Sequence, residues 1–354
     1  MNSFENKCLS ICCLGYNHAN FLKDNLNSIC AIQYKNIEVI VVDDGSKDDS
    51  VLLLNELASS FPYPIKIIAQ QNTGNIGKNF NNALKQATGE FITFISLDDV
   101  FHSKIILSEL EEMNKNPQLA FIASSKTLSI DNEGIVNESI SPELPLHTIE
   151  NPTTEDLLEL EYSAFGSFYI QGAIIRKEII DNFSGFDEDM TGDDIILRTK
   201  LFNFMLKESH WDFKIIKENN VFYRFHDNNI HKNTPRQIRI VTEYLDKFWS
   251  NKPNPPILID WACYMINTSS FEHSIDTLTL NKRAKSLLSE EKIQQAIKES
   301  LKNDSDKSFF KKFIFSKQKV NETGRQIVLF GFIKFTYEKH KKRPKNQKIH
   351  YLKY

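Results

Sequence analysis

Short apolar runs alternate with amphipathic segments through the first third of the chain. Each run is five or six residues long, and Phe91–Ser96 in particular is rich in β-branched and aromatic side chains. Runs of this kind are typical of strands buried on both faces, and their alternation with helices predicts a mostly parallel, doubly wound α/β sheet. The predicted strands are Leu9–Leu14, Ile37–Val42, Ile65–Ala69, Phe91–Ser96 and Leu119–Ser124.

Two of the predicted strands are followed by a pair of aspartates. Asp43 and Asp44 follow the second strand, and Asp98 and Asp99 follow the fourth. In an open α/β sheet, ligands bind beyond the carboxyl ends of the strands, where paired carboxylates can hold a divalent cation that bridges to substrate phosphates. Aspartates also favour turns and helix caps, and for one pair alone the two interpretations are equally good. Recurrence of the pair at one sheet edge favours a binding site.

The glycine-bearing loop at Asn72–Gly77 discriminates between classes of nucleotide-binding protein. Its sequence, NTGNIG, has neither the GxGxxG spacing of dinucleotide-binding folds nor the GxxxxGK[ST] pattern of P-loop hydrolases. This difference disfavours an NAD-dependent oxidoreductase. We therefore expect a nucleotide to be bound by side chains and a metal ion rather than by a phosphate-cradling loop.

Charge is distributed unevenly along the chain. The formal net charge is -3, but residues 302–354 contain 15 Lys or Arg and only 4 Asp or Glu. A basic tail on an acidic body predicts contact with an anionic membrane face, although a solvated basic helix or a disordered end fits equally well. The acidity of the body disfavours nucleic acid as a partner.

Cysteine usage and hydropathy bear on the compartment. The five cysteines show no spacing typical of a zinc site, and their odd number fits a reducing environment. No run approaches the ~18 apolar residues that a membrane span needs. We expect a cytoplasmic protein, with peripheral attachment to the inner membrane face as a variant of that location.

The order and spacing of the motifs resemble one known family. The segments LSICCLGYNHANFLKDNLNSI, YKNIEVIVVDDGSKDDS and NTGNIGKNFNNALKQATGEFITFISLDDVF look like the family 2 glycosyltransferases, and the similarity resumes near Gly172. This resemblance implies a GT-A fold and an inverting enzyme that uses a nucleotide-activated sugar. It also implies a divalent cation, Mn²⁺ or Mg²⁺, as cofactor.

On the donor side, the resemblance assigns roles to individual residues. Asp44 would contact the nucleotide base, with Asp43 beside it, and Asp98 and Asp99 would bind metal at the Asp-x-Asp motif of the family. Many members have a further aspartate where this chain has Ser96. The other positions implied in nucleotide-sugar binding are Leu14, Gly15, Tyr16, Asp98 and Arg224, with Lys78 or Asn81 contacting a phosphate because Phe80 stands where the family often has Arg.

On the acceptor side, the sequence GFDE is followed by Asp193 and Asp194 at the predicted start of a helix. In the resembled family such a pair marks the acceptor site, so we expect Asp194 to be the general base and Asp193 to lie beside it in the catalytic centre. Helix capping is the alternative interpretation. The segment VFYRFHDNN resembles the Tyr-Arg-x-His element of the family, which implies that His226 binds metal and that Arg224 lies near the phosphates.

These features predict a GT-A glycosyltransferase domain at residues 1–233, with a nucleotide-sugar half at 1–125 and an acceptor half at 126–233. A helical C-terminal region with a basic tail follows at 234–354. The predicted function is transfer of a sugar, with a UDP-sugar as the expected donor, to a hydroxyl group of a glycan or lipid-linked acceptor in bacterial surface polysaccharide synthesis. The alternative is a non-catalytic nucleotide-sugar-binding subunit of a glycan-assembly complex.

Overall fold

The computed structural model describes residues 7–142, 144–226 and 234–303, together with strands at 314–319, 324–329 and 333–338. The chain forms two compact units, residues 1–258 and 259–354. The boundary between these units does not test the predicted extent of the glycosyltransferase domain, residues 1–233, which stays a prediction. No helix in the described part of the chain has both the length and the apolar character needed to cross a bilayer.

The first unit alternates strands and helices, as the sequence predicts. In chain order, its elements are β1 (Leu9–Gly15), α1 (Leu22–Cys30), β2 (Ile37–Asp43), α2 (Ser50–Ala58), β3 (Ile65–Ala69), α3 (Ile76–Leu84), β4 (Phe91–Ser96), β5 (Val100–Phe101), α4 (Ser103–Lys115), β6 (Leu119–Ser124), β7 (Leu128–Ile130), α5 (Thr154–Ser163), β8 (Ile174–Arg176), α6 (Lys177–Asn182), α7 (Asp194–Lys207), β9 (Asp212–Ile216), β10 (Val221–Arg224) and α8 (Thr234–Phe248). The boundary with the second unit falls within α9 (Pro256–Thr268).

Within the described residues, a seven-stranded sheet forms the centre of the first unit, in the order β3-β2-β1-β4-β8-β6-β9. Strand β1 pairs in parallel with β2 and β4, β2 with β3, and β6 with β9. Only β8 runs antiparallel to its neighbours β4 and β6. The prediction of a mostly parallel α/β sheet is therefore confirmed, and β3, β4 and β6 have the bounds that the apolar runs indicate.

The central strands are buried on both faces, which explains why their sequences are continuous apolar runs. Successive side chains of β4 enter different cores: Phe91 and Ile95 belong to one hydrophobic cluster, and Ile92 and Phe94 to the other. Alternation between faces is the geometry of any strand, and a sheet covered by helices on both sides needs apolar residues at every position.

A small second sheet lies next to the carboxyl end of β4. Its order is β5-β10-β7, with β10 antiparallel to β5 and parallel to β7. Because β5 begins one residue after the Asp98–Asp99 pair, this pairing brings the chain around Arg224 and His226 back to that pair. Residues separated by more than 120 positions in the sequence thereby meet at one edge of the fold.

The second unit corrects part of the prediction for the C-terminal region. Helices follow as expected, namely α10 (Phe271–Leu278), α11 (Lys282–Leu287) and α12 (Glu291–Asn303). The basic tail was expected to be a helix or a disordered end, but it contains the antiparallel strands β11 (Ile314–Lys319), β12 (Gly324–Leu329) and β13 (Ile333–Glu338). Polar and apolar residues alternate in IKFTYE with the two-residue period of a strand, a signal that the positive charge of the tail obscured.

Candidate active site

The carboxyl ends of β1, β2 and β4 meet at one edge of the large sheet. In the parallel register, Leu14 lies beside Ser96, and Gly15 lies beside Asp43. The loops that leave these strands therefore start from neighbouring points. They bring together side chains that are far apart in the sequence, as expected for the ligand-binding edge of an open α/β sheet.

Asp98 is the centre of the cluster at this edge. Its Oδ2 lies 3.0 Å from Nε2 of His226 and 3.6 Å from Nε2 of His18. Burial alone would raise the pKa of the Asp98 carboxyl, but the hydrogen bond to His226 and the interaction with His18 outweigh it and lower the pKa. Asp98 is thus an ionised carboxylate between two imidazole rings.

The donor atoms of His18, Asp98 and His226 suit a divalent cation. One ligand atom from each residue lies within 4.8 Å of the others, so a single ion can contact all three. Two buried polar atoms of the cluster, Oδ1 of Asp98 and Nδ1 of His18, have no hydrogen-bond partner among the described residues. Buried polar atoms are nearly always paired, so such atoms indicate a group that belongs in the site.

Aromatic contacts hold the two imidazoles in place. The ring of Phe21 stacks on that of His226 with a centroid separation of 5.3 Å, and it meets the ring of His18 edge-on at 6.3 Å. The loop that carries His18 is fixed by two hydrogen bonds, from the backbone N–H of Asn17 to Ser46 in the β2–α2 loop and from that of His18 to Ser50 at the start of α2. The positions of the imidazoles are therefore defined by the protein itself.

Asp99 is not part of this cluster, whereas the resemblance implies that it binds metal beside Asp98. Its Oδ1 accepts a hydrogen bond of 2.7 Å from the backbone N–H of Arg224, and the side chain is 1% exposed. Burial and the neighbouring charge of Asp98 raise the pKa of Asp99 well above its usual value. Asp99 therefore ties β10 to the loop after β4.

Arg224 is likewise committed to the protein, whereas the sequence placed it near the phosphates. Its Nε donates to the backbone carbonyl of Asp98 at 2.8 Å, and one terminal nitrogen donates to the carbonyls of Asp131 and Asn132. The other terminal nitrogen lies 3.0 Å from Oδ2 of Asp24, and the side chain is fully buried. These contacts make Arg224 a support beneath the loop that presents Asp98.

The first aspartate pair organises the loops around the edge of the sheet. Asp43 accepts a hydrogen bond of 2.8 Å from the backbone N–H of Ser46, and Asp44 accepts one of 2.8 Å from the N–H of Thr73. Asp44 also accepts from the N–H of Gly74. Both carboxylates are buried and shape the β2–α2 loop and the glycine-bearing loop from within.

The other predicted donor-side residues differ in their surroundings. Leu14 is half-buried and Tyr16 is 40% exposed, so both are accessible beside the carboxyl end of β1. A side chain at Gly15 would collide with Leu97, which explains why glycine occupies that position. Lys78 is exposed. Asn81 is buried and uses its amide group to hold Phe186 and Glu188, which places it under the GFDE segment rather than at a phosphate.

The second acidic pair stands at the amino end of α7. Asp193 caps the helix and accepts a hydrogen bond from the backbone N–H of Asp194. The side chain of Asp194 keeps 31% of its surface accessible. Its partial burial and the neighbouring carboxylate of Asp193 raise the pKa of Asp194 to about 7. A carboxylate with this pKa can take up a proton near neutral pH, which is what a general base must do.

Tyr169 connects the two acidic regions. Burial raises the pKa of its hydroxyl group, and the charges of Asp194 and Asp99 raise it further. The hydroxyl group therefore lies within electrostatic reach of both acidic pairs. The Tyr169 ring also lies 6.0 Å from the ring of Tyr223, on the same strand as Arg224.

Sequence reasoning missed three residues of this site: His18, Glu161 and Arg198. The position of His18 carried a usable signal, because a loop after β1 must approach a loop after β4 when the two strands are parallel neighbours. Arg198 follows Asp194 by four residues in one helix, so its proximity was also accessible. Glu161 lies on α5 and is joined to Arg198 by tertiary packing alone.

Comparison with known proteins identifies the family. The model of "Glycosyl transferase family 2" matches residues 10–182. Residues 10–182 belong to the family 2 glycosyltransferases. The matched segment includes the loop of Asp98 and ends before α7, so Asp194 and His226 lie outside it.

Related proteins match parts of this chain. An uncharacterized glycosyltransferase of Nostoc is 39% identical over 93 residues, which are 26% of this chain and 29% of the relative. The GalNAc(5)-diNAcBac-PP-undecaprenol beta-1,3-glucosyltransferase of Campylobacter jejuni is 27% identical over 218 residues, which are 60% of this chain and 66% of the relative. The chain spans less than a third of the length of the first curated relatives that it matches.

One solved structure supports the fold assignment. TarS 1-349 of S. aureus, in complex with UDP-GlcNAc, has a TM-score of 0.53 and is 15% identical. The match covers 93% of this chain and 99% of that chain. The GT-A fold that the resemblance implied is thus confirmed.

Proposed function

We propose that this protein is an inverting glycosyltransferase that moves a sugar from a nucleotide-sugar to a hydroxyl group of an acceptor. One observation carries the proposal: the carboxylate of Asp98, flanked by two imidazoles, lies at the ligand-binding edge of a family 2 domain, and Tyr169 feels the charges both of the adjacent Asp99 and of Asp194, whose pKa is raised to about 7. The first group suits a cation that binds diphosphate, and the second suits a base.

On the donor side, we assign the divalent cation to His18, Asp98 and His226, and we withdraw Asp99 from the predicted set of ligands. When bound, such an ion offsets the negative charge that develops on a departing nucleoside diphosphate. Imidazole ligands favour transition metals, and a carboxylate oxygen also suits Mn²⁺, so we expect Mn²⁺ to bind more tightly than Mg²⁺. Arg224 and Asp99 keep the Asp98 loop in register with β10.

On the acceptor side, we assign the role of general base to Asp194. The acceptor hydroxyl group loses its proton as its oxygen bonds to the anomeric carbon, and the carboxylate of Asp194 takes that proton. The bond from the anomeric carbon to the diphosphate oxygen breaks, and the electron pair leaves with the diphosphate. A single displacement of this kind inverts the anomeric configuration.

The substrate class is proposed from the relatives. The Campylobacter relative is named for a lipid-linked glycan acceptor, and the TarS structure contains UDP-GlcNAc. We propose a UDP-sugar as donor, a glycan or lipid-linked acceptor, and a role in bacterial surface polysaccharide synthesis. Peripheral attachment to the inner membrane face through the basic tail belongs to the same proposal, because a polyprenyl-linked acceptor is confined to the membrane.

A thermal-shift panel tests the donor side first. The protein is heated with each of the uridine, guanosine, cytidine and thymidine diphosphates, with and without Mn²⁺. A ligand that binds only the folded state raises the melting temperature with its concentration. We expect stabilisation by UDP that depends on Mn²⁺ and is lost in Asp98→Ala.

A matched control is Asp181→Ala, which removes a carboxylate whose ion pair with Lys177 lies outside the cluster. This variant should respond to UDP and Mn²⁺ as the parent does. Absence of a metal-dependent response to every nucleotide would refute the donor assignment. Binding of UDP-sugar without turnover on any acceptor would instead favour the non-catalytic subunit.

A further inference from the structure

A buried ion pair joins helices α5 and α7 behind the proposed base. Nε of Arg198 lies 2.8 Å from Oε1 of Glu161, and a terminal nitrogen of Arg198 lies 3.1 Å from Oε2. The side chain of Glu161 is fully buried, and that of Arg198 is 5% exposed. Such a bidentate contact fixes both the position and the plane of the guanidinium group.

The carboxylate of Glu161 is fully committed to this arrangement. In addition to the two nitrogens of Arg198, it accepts hydrogen bonds from the backbone N–H of Ser167 at 3.0 Å and from its hydroxyl group at 2.6 Å. A buried charge is tolerated when it is paired and its lone pairs are satisfied, and Glu161 meets both conditions.

The remaining terminal nitrogen of Arg198 approaches the proposed base. It lies 3.6 Å from Oδ2 of Asp194, which precedes it by one helical turn. The guanidinium group of Arg198 therefore contacts two carboxylates through different nitrogens. Glu161 is the buried partner, and Asp194 is the accessible one.

We propose that Glu161 is a positioning residue that holds Arg198 against Asp194 and offsets most of the positive charge that Arg198 would otherwise impose on it. The inference rests on the role of Asp194 in the proposed function. Glu161 touches no substrate in this scheme and acts only through Arg198.

Electrostatics gives the reason for such a device. A cation close to a carboxyl group lowers its pKa by about 1–3 units, which would make Asp194 a poor base at neutral pH. The pKa of Asp194 is raised by burial and by Asp193, is lowered by Arg198, and is raised again by Glu161. Glu161 thus holds Arg198 in its position beside Asp194. It also offsets the charge of Arg198, which would otherwise make Asp194 less basic.

Other charged and titratable groups also face this region. A test must separate their effects on Asp194 from the effect of Glu161. Arg236 of α8 acts on Asp193, and the hydroxyl group of Tyr244, also on α8, acts on Arg198. Tyr169 feels the charge of Asp194 from the segment before β8. Of these groups, Tyr244 also feels the charge of Glu161, but burial is the largest cause of its raised pKa, so Tyr244 stays uncharged near neutral pH in Glu161→Gln. A change in the titration of Asp194 can therefore be assigned to the Glu161–Arg198 pair.

The test is a direct titration of Asp194 in the full-length protein. Infrared spectra are recorded against pH for the parent and for Asp194→Asn, and their difference isolates the carbonyl band of protonated Asp194. The same pair of spectra is recorded in the Glu161→Gln background. We expect the midpoint to fall by about one pH unit or more in Glu161→Gln, because the charge of Arg198 is no longer offset.

A matched control is Glu109→Gln, which replaces another fully buried carboxyl that contacts Asn220 and lies outside the proposed machinery. Its midpoint for Asp194 should equal that of the parent. An unchanged midpoint in a folded Glu161→Gln variant would overturn the proposal, since a merely structural pair would alter stability and not the titration.

A double variant keeps the test decisive if Glu161→Gln folds poorly. In Glu161→Gln/Arg198→Met both charges are removed, so the midpoint should return to the parent value or rise above it. A double variant whose midpoint falls as far as that expected for Glu161→Gln alone would contradict the charge-offset mechanism. The titration needs neither metal nor substrate, so it distinguishes failure of this inference from failure of the proposed function.

Discussion

The pairs Asp98–Asp99 and Asp193–Asp194 have the same sequence, but Asp98 of the first pair and Asp194 of the second have opposite electrostatic properties. The pKa of Asp98 is lowered, and two imidazoles lie within 3.6 Å of its carboxylate. The pKa of Asp194 is raised to about 7, and its nearest cation, Arg198, is already paired with Glu161. Asp98 therefore presents a negative charge, and Asp194 presents a group that takes up a proton near neutral pH.

This difference shows that neighbours, rather than the dipeptide, determine what an aspartate pair does. Around Asp98, the partners come from the loop after β1, from Arg224 at the end of β10 and from His226 just after it. Around Asp194, they come from the helix that it begins, from α5 and from Tyr169. A cation site needs an ionised carboxylate, whereas a base near neutral pH needs one that is hard to ionise, so the two environments match the two proposed roles.

The largest effect that we expect follows loss of the negative charge at the first pair. Asp98→Ala should lower the transfer rate by about 10⁴-fold, because a bound cation contributes several kcal/mol to charge stabilisation in the transition state. Steady-state assays with saturating Mn²⁺ measure this change. A variant with near-parental turnover would remove Asp98 from the donor site and end the contrast with Asp194.

The second effect concerns the other pair. Asp194→Asn should lower the transfer rate by about 10³-fold, which is within the range expected for loss of a general base. Because the donor site is untouched, its UDP-induced and Mn²⁺-induced thermal shifts should equal those of the parent. A loss of nucleotide binding in this variant would show that the two pairs are not separate in function.

The third effect is a pH dependence of the parent protein. Asp194 acts as a base only when it is ionised, so the transfer rate should fall about tenfold per pH unit as the pH drops below about 7. This prediction is tested by measuring rates between about pH 5 and pH 9 with saturating substrate and at a fixed ionic strength. An acid limb near the usual pKa of aspartate would place the proton acceptor elsewhere.

The smallest effect concerns a buried carboxyl that belongs to neither pair. Burial raises the pKa of Glu109 well above its usual value, so the folded protein keeps this proton at pH values at which the unfolded chain has lost it. Its contribution to the free energy of unfolding is complete below the pKa of the unfolded chain and is lost as the pH rises. Glu109→Gln removes that loss, because glutamine stays neutral.

Glu109→Gln should therefore melt as the parent does at pH 4 and about 2–4 °C higher at pH 8, which corresponds to about 1 kcal/mol for a domain of this size. Calorimetric scans at the two pH values provide the measurement. Equal melting temperatures at pH 8 would mean that Glu109 is ionised in the fold, and the same argument for Asp194 would then need revision.

The local pattern of residues predicted the scaffold well. Phe91–Ser96 has the sequence of a buried strand because its apolar side chains enter one core or the other, and such strands leave a nearly continuous apolar signal. The location of Asp98 and Asp99 at a ligand-binding edge followed from that strand, and the family followed from the spacing of the motifs. These features depend on short stretches whose chemistry is visible in the sequence.

What failed was the assignment of contacts between distant segments. Arg224 was expected near phosphates, but its nitrogens bond to Asp24 and to backbone carbonyls beside β7 and β4. The resemblance implies that Lys78 or Asn81 contacts a phosphate, and of the two Asn81 bonds to the GFDE segment. Arginine and asparagine side chains can donate the same hydrogen bonds to a ligand or to other groups of the protein. The sequence does not show which of these partners the side chain contacts.

The sequence alone predicts the alternation of strands and helices, the sheet edge at which the first two acidic pairs lie, and the family to which residues 10–182 belong. The tertiary structure alone decided that Asp98 faces His18 and His226 while Asp99 bonds to the backbone of Arg224, and that Glu161 stands behind Arg198. The physical reason is range: strand burial and turn chemistry act between neighbours in the sequence, whereas ionisation depends on charges and dielectric surroundings within a few ångströms in space.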